Sequence, residues 1–458
     1  MVMTYRNVCD IIVPNDMCIG CGLCAGICPV KVFEMRFNSN GEYIPVEYRK
    51  GCLPKCDLCL SSCPFYSQDA NEDKLASIAF SDQENINHSP ELGYYLETLV
   101  GFNNDHEHRL NSSSGGLATR LLCTLLENKV VDKVVCVMPE SNNPGKLFRF
   151  SILDNVEDVY KSSKSCYYPV EMSEVIQEIL KTESRYAVIG LPCFLKGIRL
   201  AMSTNTRLRR RILFLMGIVC GQTKSTFFAE YLCKLKGGNP ALMNYARFRV
   251  KDLAKPANQF GFQFRCSGGD VKNGTIYWLE GMAQAWSGGY FKLNPCNFCD
   301  DVFAEVADVV FMDAWTENYI SDPYGTSFAL VRNKQILDII KNDGRSGHIS
   351  IQNTEPIELI QSQLPVINSK RKLLSQRLFI GDLCGIKTIP KKRVEPKSGK
   401  LLDLIDRGTE MLLTKISKVA FRYQGKRSGW LIFRISTDPI LFWQRILRRL
   451  HYMFDSPA

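Results

Sequence analysis

No apolar run in this 458-residue chain reaches the ~18–20 residues needed to cross a bilayer, so a membrane-spanning segment is not expected. The N-terminus carries no cationic stretch followed by an apolar core, so export is not expected and a cytoplasmic location is. Histidine is scarce, five in all, and no paired histidine or carboxylate pattern suggests hydrolysis. His106 and His108 are read as surface residues, with general acids as the alternative. The net charge is +10, with basic residues crowded into Arg207 to Arg211 and after Lys370. No helix-turn-helix, zinc-finger or RNA-binding signature accompanies that charge, so nucleic acid is not an expected partner. The α/β part shows no internal repeat. An apolar fraction of 45% suits an ordinary globular protein, and the length suits two to three domains.

Cysteine, by contrast, is plentiful: there are 19. Eight lie in two runs that each close with Cys-Pro, Cys18-x-x-Cys21-x-x-Cys24-x-x-x-Cys28-Pro29 and Cys52-x-x-x-Cys56-x-x-Cys59-x-x-x-Cys63-Pro64. The first has the bacterial ferredoxin spacing, which holds [4Fe–4S] clusters by thiolates. Three cysteines at i, i+3 and i+6 wrap one cluster, and the fourth, before proline, serves the other. One cluster is therefore expected on Cys18, Cys21, Cys24 and Cys63, and a second on Cys28, Cys52, Cys56 and Cys59. Cys52 precedes an irregular three-residue gap, and Cys9 is the spare candidate. Gly20 and Gly22 let the loop turn tightly and bring amides toward sulfur. Structural zinc is the alternative for paired Cys-x-x-Cys. A disulfide framework belongs rather to small secreted domains.

Residues 1–66 read as a ferredoxin-like head and 67–90 as a polar linker. Residues 91–345 alternate short β-rich runs with helical stretches, as in α/β domains. Strands are expected at 134–137, 186–189, 212–219 and 309–311, and helices at 116–128, 172–181 and 225–234. Residues 346–400 form an extension of uncertain type. Residues 401–458 read as a separate basic helical tail. The fold class is thus a two-cluster α+β head, an α/β body and a helical tail.

Asn111-Ser112-Ser113-Ser114-Gly115-Gly116 leads into a helical run. Free amides at a helix start suit phosphate or pyrophosphate, and an ordinary N-cap is the competing reading. Cys193 follows the strand at 186–189, Cys220 follows the strand at 212–219, and Cys296-x-x-Cys299 adds a pair. If those strands are parallel, the loops share the ligand crevice of an open sheet. A third [4Fe–4S] site is then expected on Cys193, Cys220, Cys296 and Cys299, against buried structural cysteines or zinc. Cys123, Cys136, Cys233 and Cys384 are assigned to the core.

Ser113-Ser114-Gly115-Gly116, Gly190-Leu191-Pro192-Cys193, Val219-Cys220-Gly221, Cys296-x-x-Cys299-Asp300-Asp301, Ala304-Glu305-x-Ala307-Asp308, Asp313-Ala314-Trp315 and Gly325-Thr326-Ser327 recur in one order over about 92–333. Together they resemble the coenzyme F₄₂₀ hydrogenase/dehydrogenase beta-subunit family. The resemblance implies an iron–sulfur flavoprotein oxidoreductase with FAD beside the core cluster. FAD contacts would be Ser113, Ser114, Gly115, Gly116, Ser163, Lys164 and Thr326. Two positions depart from the family pattern: Ser165 stands where a tyrosine is usual, and Met312 where a glycine is usual. Arg247, Arg249 and Lys251 face either an anion or solvent. Glu305 and Asp308 read as surface residues without a role.

A flavin between hydride donors and one-electron clusters makes chemical sense. The expected donor or acceptor is a deazaflavin, NAD(P)H, ferredoxin or a partner subunit, with a small-molecule substrate. Chains with such a head also resemble proteins of polysaccharide synthesis, which implies that setting. The alternatives are a non-catalytic electron-relay subunit and a zinc-stabilised scaffold. In the tail, Phe442 to Leu450 mixes aromatic and basic residues. It reads either as an amphipathic helix on the inner face of an anionic membrane or as a helix packed on the core or a partner.

Overall fold

The computed structural model describes residues 6–49, 51–66, 70–140, 145–267, 273–386, 393–426 and 428–455, with side chains to 449. Its centre is an eight-stranded mixed sheet. Across it the strands run Ile349–Asn353, Glu97–Asn103, Ser327–Val331, Val309–Asp313, Ile212–Ile218, Tyr186–Gly190, Lys133–Pro139 and Phe148–Leu153. The four strands from Val309–Asp313 to Lys133–Pro139 are parallel, and the flanking pairs are antiparallel. Tyr186–Gly190 and Ser327–Val331 are buried at every position. That explains their unbroken runs of small and apolar residues, since both sheet faces are covered. Helices Ser173–Lys181 and Pro192–Thr204 pack on one face, and Leu117–Glu127 and Lys334–Arg345 on the other.

The cysteine-rich head folds around the antiparallel hairpin Phe33–Phe37 and Tyr43–Glu47. It docks directly on the body. A Cβ on Gly22 would stand 2.4 Å from Glu171 Oε2, and one on Gly197 would stand 2.3 Å from Leu23 Cδ1. Both glycines are therefore needed for close approach.

Three expected boundaries change. The linker at 67–90 (67–69 lie outside the described residues) contains the helix Glu72–Phe80, which buries Leu75, Ala76 and Phe80. Glu72 pairs with Lys196 at 3.1 Å. A polar composition concealed this helix because its buried stripe is short. The extension at 346–400 supplies the edge strand Ile349–Asn353 and the helices Pro356–Ile367 and Leu374–Leu383. The α/β body thus continues past 345.

The tail is no separate appendage. Leu401–Phe421 and Gly429–Asp455 form a helical hairpin. Phe421 and Phe433 are fully buried in an aromatic cluster with Tyr231 and Phe291. That cluster also includes Phe248, Phe262 and Phe264 from a three-stranded antiparallel sheet, Met243–Val250, Gly261–Cys266 and Gly274–Tyr277, which the sequence pattern does not announce.

Candidate redox centre

In the head, the short helices Leu23–Gly26 and Leu58–Ser61 carry Cys24 and Cys59 inward. The thiols fall into two neighbouring sets. Burial raises Cys24, and Cys21, Cys18 and Cys63 add to the rise. Burial likewise pushes Cys18 up to about 12, with Cys63 contributing. In the second set, burial pushes Cys59 up to about 11, with Cys52, Cys56 and Cys28 contributing. Cys63 thus sits with the first run and Cys28 with the second. Gly20, with φ of +73°, donates its N–H to Cys18 Sγ at 3.4 Å, and Val32 N–H donates to Cys28 Sγ at 3.4 Å. Cys9 donates to the Pro45 carbonyl at 3.4 Å and lies within range of Cys59 and Cys18.

In the body, four cysteines from three places meet. Cys193 is the second residue of helix Pro192–Thr204, Cys220 follows strand Ile212–Ile218, and Cys296 and Cys299 bracket the end of the 3₁₀ turn Asn294–Phe298. Burial raises Cys193, reinforced by Cys220, Cys299 and Cys296, with Cys21 of the head also within range. Gly217 lets the segment after Cys299 pack close on the strand that leads to Cys220, since a Cβ there would lie 2.6 Å from Ala304 Cβ. None of the 19 cysteines is in a disulfide. Among the described residues no His, Cys, Asp or Glu group of three or more converges on a single ion. A four-iron cube binds each thiolate at a separate corner, so soft, buried, fourfold sets suit it without such convergence.

Lys370 was missed by sequence reasoning and lies inside this centre. It is 3% exposed, in the π-helical turn Asn368–Lys372. Its Nζ donates to Cys299 Sγ at 3.4 Å and to the Asp301 carbonyl at 2.7 Å. Burial works against its charge, yet Cys299, Cys220, Cys296 and Asp301 raise its pKa above the ordinary lysine value. Only its place in a basic stretch marked it in the sequence.

The Ser-Gly run lies at a second focus. The run is tied down more tightly than free amides imply. Ser114 Oγ donates to the Thr326 carbonyl at 2.7 Å, Gly115 N–H donates to Ser327 Oγ at 2.9 Å, and Ser165 N–H donates to Ser113 Oγ at 2.6 Å. Gly116, with φ of +84°, caps helix Leu117–Glu127. Four cations surround the loop. Lys164 Nζ donates to the Ser112 and Arg249 carbonyls at 3.0 and 3.1 Å, and Ser163 Oγ donates to the Asn111 carbonyl at 3.3 Å. Lys251 donates to the Ser114 carbonyl at 2.8 Å, and Arg247 to Asn111 Oδ1 at 2.9 Å.

Arg249 donates to the Ser113 carbonyl at 2.9 Å and pairs with Asp313. It is 3% exposed, holds φ at +58°, and its Nε has no partner. Strain of this kind persists where the surroundings over-determine it, so Arg249 is no solvated strand residue. Burial, then Arg247, Lys251 and Arg249, lower Lys164 to about 6, and burial, then Arg249 and Arg109, lower Lys251 to about 7. An under-neutralised cation cluster with an orphaned guanidinium N–H fits a polyanionic group such as a pyrophosphate. A cleft of about 420 Å³ beside it is lined by His108, Asn111, Tyr160, Ser163 and Arg247 among others. Tyr167 lies beside Arg249 and within range of Cys220: burial raises its pKa, Arg249 opposes, and Asp313 and Cys220 add to the rise.

Residues 98–177 match the N-terminal part of the family described as coenzyme F₄₂₀ hydrogenase/dehydrogenase, beta subunit, and 183–357 match its C-terminal part. The chain belongs to the coenzyme F₄₂₀ hydrogenase/dehydrogenase beta-subunit family. Residues 11–34 match a 4Fe-4S binding domain, so this family member carries an iron–sulfur head. The coenzyme F₄₂₀-dependent sulfite reductase of Methanocaldococcus jannaschii is 22% identical over 341 residues, 71% of this chain and 45% of that protein. The chain therefore spans under half the length of that relative. One of the subunits of the F₄₂₀H₂ dehydrogenase of Methanosarcina mazei is 23% identical over 340 residues, 70% of this chain and 84% of that one. The F₄₂₀-reducing [NiFe] hydrogenase complex from Methanosarcina barkeri contains a chain that superposes with a TM-score of 0.48 at 16% identity, covering 64% of this chain and 96% of that chain.

Several expectations about single residues change in this family member. His108 is buried, and burial lowers its pKa to about 4, so it is neither a surface residue nor a ready acid. Glu305 and Asp308 are buried, not surface residues. Glu305 pairs with Arg371 at 2.9 Å and Arg393 at 2.7 Å, and Asp308 pairs with Arg199 at 3.1 Å. Cys384 is exposed, whereas Cys123, Cys136 and Cys233 are buried. Among the described residues no helix is long and apolar enough to cross a membrane.

Proposed function

We propose that the chain is an iron–sulfur flavoprotein oxidoreductase. Two [4Fe–4S] clusters would be held by Cys18, Cys21, Cys24 and Cys63 and by Cys28, Cys52, Cys56 and Cys59. A third would be held by Cys193, Cys220, Cys296 and Cys299. FAD would be held at Ser113, Ser114, Gly115, Gly116, Ser163, Lys164 and Thr326. The observation that carries the reading is succession: Cys21 neighbours Cys193, and Tyr167 lies in the fields of both Cys220 and Arg249, which holds the Ser113 carbonyl.

When bound, a flavin supplies the exchange between two-electron donors and one-electron clusters. The chain's own residues prepare that place. Lys164, Arg247, Arg249 and Lys251 supply positive charge for the pyrophosphate, and Ser114 and Gly115 lock the loop to Thr326 and Ser327. The cleft at Asn111, Ser163 and Arg247 admits a small substrate or deazaflavin. The names of the relatives favour a reduced deazaflavin as donor over NAD(P)H, ferredoxin or a partner subunit. A role in polysaccharide biosynthesis rests on sequence resemblance.

Anaerobic purification tests this reading. The expected result is flavin with about twelve irons per chain, the sum of three four-iron sites, and flavin bleaching by reduced deazaflavin. Iron without flavin would favour the electron-relay reading. Colourless protein with zinc would defeat both.

A second element of the proposal is peripheral contact with an anionic membrane. The outer face of helix Gly429–Asp455 exposes Leu431 (61%), Ile435 (65%), Phe442 (60%) and Trp443 (60%), opposite the buried Phe433, Leu441 and Leu447. Arg434, paired with Asp438, and Arg445 and Arg449 are exposed on the same helix. Apolar anchors including a tryptophan, with exposed arginines on the same helix, suit the interface of an acidic bilayer.

A further inference from the structure

The thiols of the body centre and those of the head differ in how positive charge meets them. Near Cys63, the buried Lys196 is already neutralised by Glu72 at 3.1 Å. Lys370 is different. Its two hydrogen bonds go to Cys299 Sγ at 3.4 Å and to the Asp301 main-chain carbonyl at 2.7 Å, with the Asp301 carboxylate also within range. The side chain is buried, and the turn that carries it is braced by Arg377. Arg377 donates to the Asn297 carbonyl at 2.7 Å and also to the Ser369 carbonyl, so both banks of the contact are held.

We infer that Lys370 is a positioning residue that sets the reduction potential of the body cluster by placing a fixed positive charge against Cys299. This rests on the reading of Cys193, Cys220, Cys296 and Cys299 as a [4Fe–4S] site. An oxidised cube with four thiolates carries two net negative charges and gains a third when it accepts one electron, with no proton or bond exchanged. A buried ammonium on one sulfur favours the more negative state, because hydrogen bonds to the sulfurs and net charge both set cluster potentials. The effect is strong where low polarity leaves it unscreened. The body cluster therefore accepts electrons more readily than its thiolate set alone dictates. It is thereby poised between a donor at the Ser-Gly loop and the head.

The test is an EPR-monitored redox titration of full-length protein purified anaerobically, with iron counted per chain. Lys370→Met is expected to keep the wild-type iron content. It should lower one cluster midpoint by about 59 mV or more, a tenfold change in a one-electron equilibrium. The head midpoints should stay in place, and Lys370→Arg should restore most of the shift. Unchanged midpoints in iron-replete Lys370→Met would overturn the inference. Loss of about four irons from both variants would also overturn it, making Lys370 a structural prop. If Cys193→Ala has the same iron content as wild type, the third-site reading itself fails, a result independent of Lys370.

Discussion

Lys418 Nζ stands 2.7 Å from Glu42 Oε1 with both side chains buried, so the C-terminal hairpin clasps the head across 376 residues of sequence. Arg422 reinforces the clasp by donating to Asn40 Oδ1 at 2.7 Å. Removing one partner of a buried pair leaves an uncompensated charge and costs ~3–5 kcal/mol. Lys418→Met is therefore expected to lower the urea midpoint for loss of cluster absorbance. The double variant Glu42→Gln with Lys418→Met should recover part of that loss. Equal midpoints for wild type and Lys418→Met would show that the clasp carries no stability.

Cys193→Ala removes one of the four thiolates gathered in the body. About four irons should be lost, with the head clusters retained. Iron analysis and EPR read this directly, and an unchanged iron content would refute the body site.

Gly115 lies against backbone on two sides, with a built Cβ 2.7 Å from the Gly101 carbonyl oxygen and 2.8 Å from Ser327 N. Neither neighbour can rotate away as a side chain would. Gly115→Ala is expected to cost ~1–3 kcal/mol by overpacking and to reduce the flavin that co-purifies. A variant with full flavin content and an unchanged melting temperature would contradict the tight loop.

Lys164 and Lys251, held at about 6 and about 7, face Arg247, Arg249 and Arg109, with Asp313 and Asp322 as the opposing charges. A lysine whose pKa falls on folding is neutral in the fold but charged in the unfolded chain between its two values. The unfolded chain then holds more protons, so flavin-free protein should gain stability as pH rises from about 6 toward 10. Anion binding has the opposite sign, because the bound dianion favours protonated lysines. FAD affinity of the flavin-free protein should therefore rise as pH falls from about 8 to about 6, with protons taken up on binding in calorimetry. A pH-independent affinity would place the pyrophosphate elsewhere.

Vesicle flotation checks the outer face of the hairpin. Binding to phosphatidylglycerol vesicles is expected, with little binding to phosphatidylcholine and a marked loss in Phe442→Asp and Trp443→Asp. Equal behaviour of wild type and both variants would remove the membrane reading. Concentration-dependent self-association abolished by the same changes would assign the face to a second copy.

Much of the body was legible because its strands are buried on both faces and so read as short apolar runs. Tyr186–Gly190 and Val309–Asp313 fall where those runs fall. The three-stranded sheet was not legible: Met243–Val250 carries Arg247 and Arg249 among its apolar positions, and its Phe248 is covered by Phe148, Tyr167 and Phe228 from elsewhere in the chain. The tail was legible as helix, with packing on the core as one of its two readings, and only its separateness was wrong. Its helices are amphipathic on the inside and apolar again on the outside, and periodicity alone does not say which face meets protein.

The spacing chemistry of the head is written in the chain itself, because three cysteines within one loop are a local property. The family motifs are local in the same sense. What stands beside these motifs was decided only by the tertiary structure. Lys370 meets Cys299 across 71 residues and Arg249 meets Asp313 across 64. Such contacts depend on how distant elements pack, and a charge buried by packing looks, in sequence, the same as one left in water. The two Cys-Pro runs state that electrons are handled. The buried cations mark where negative charge would be held.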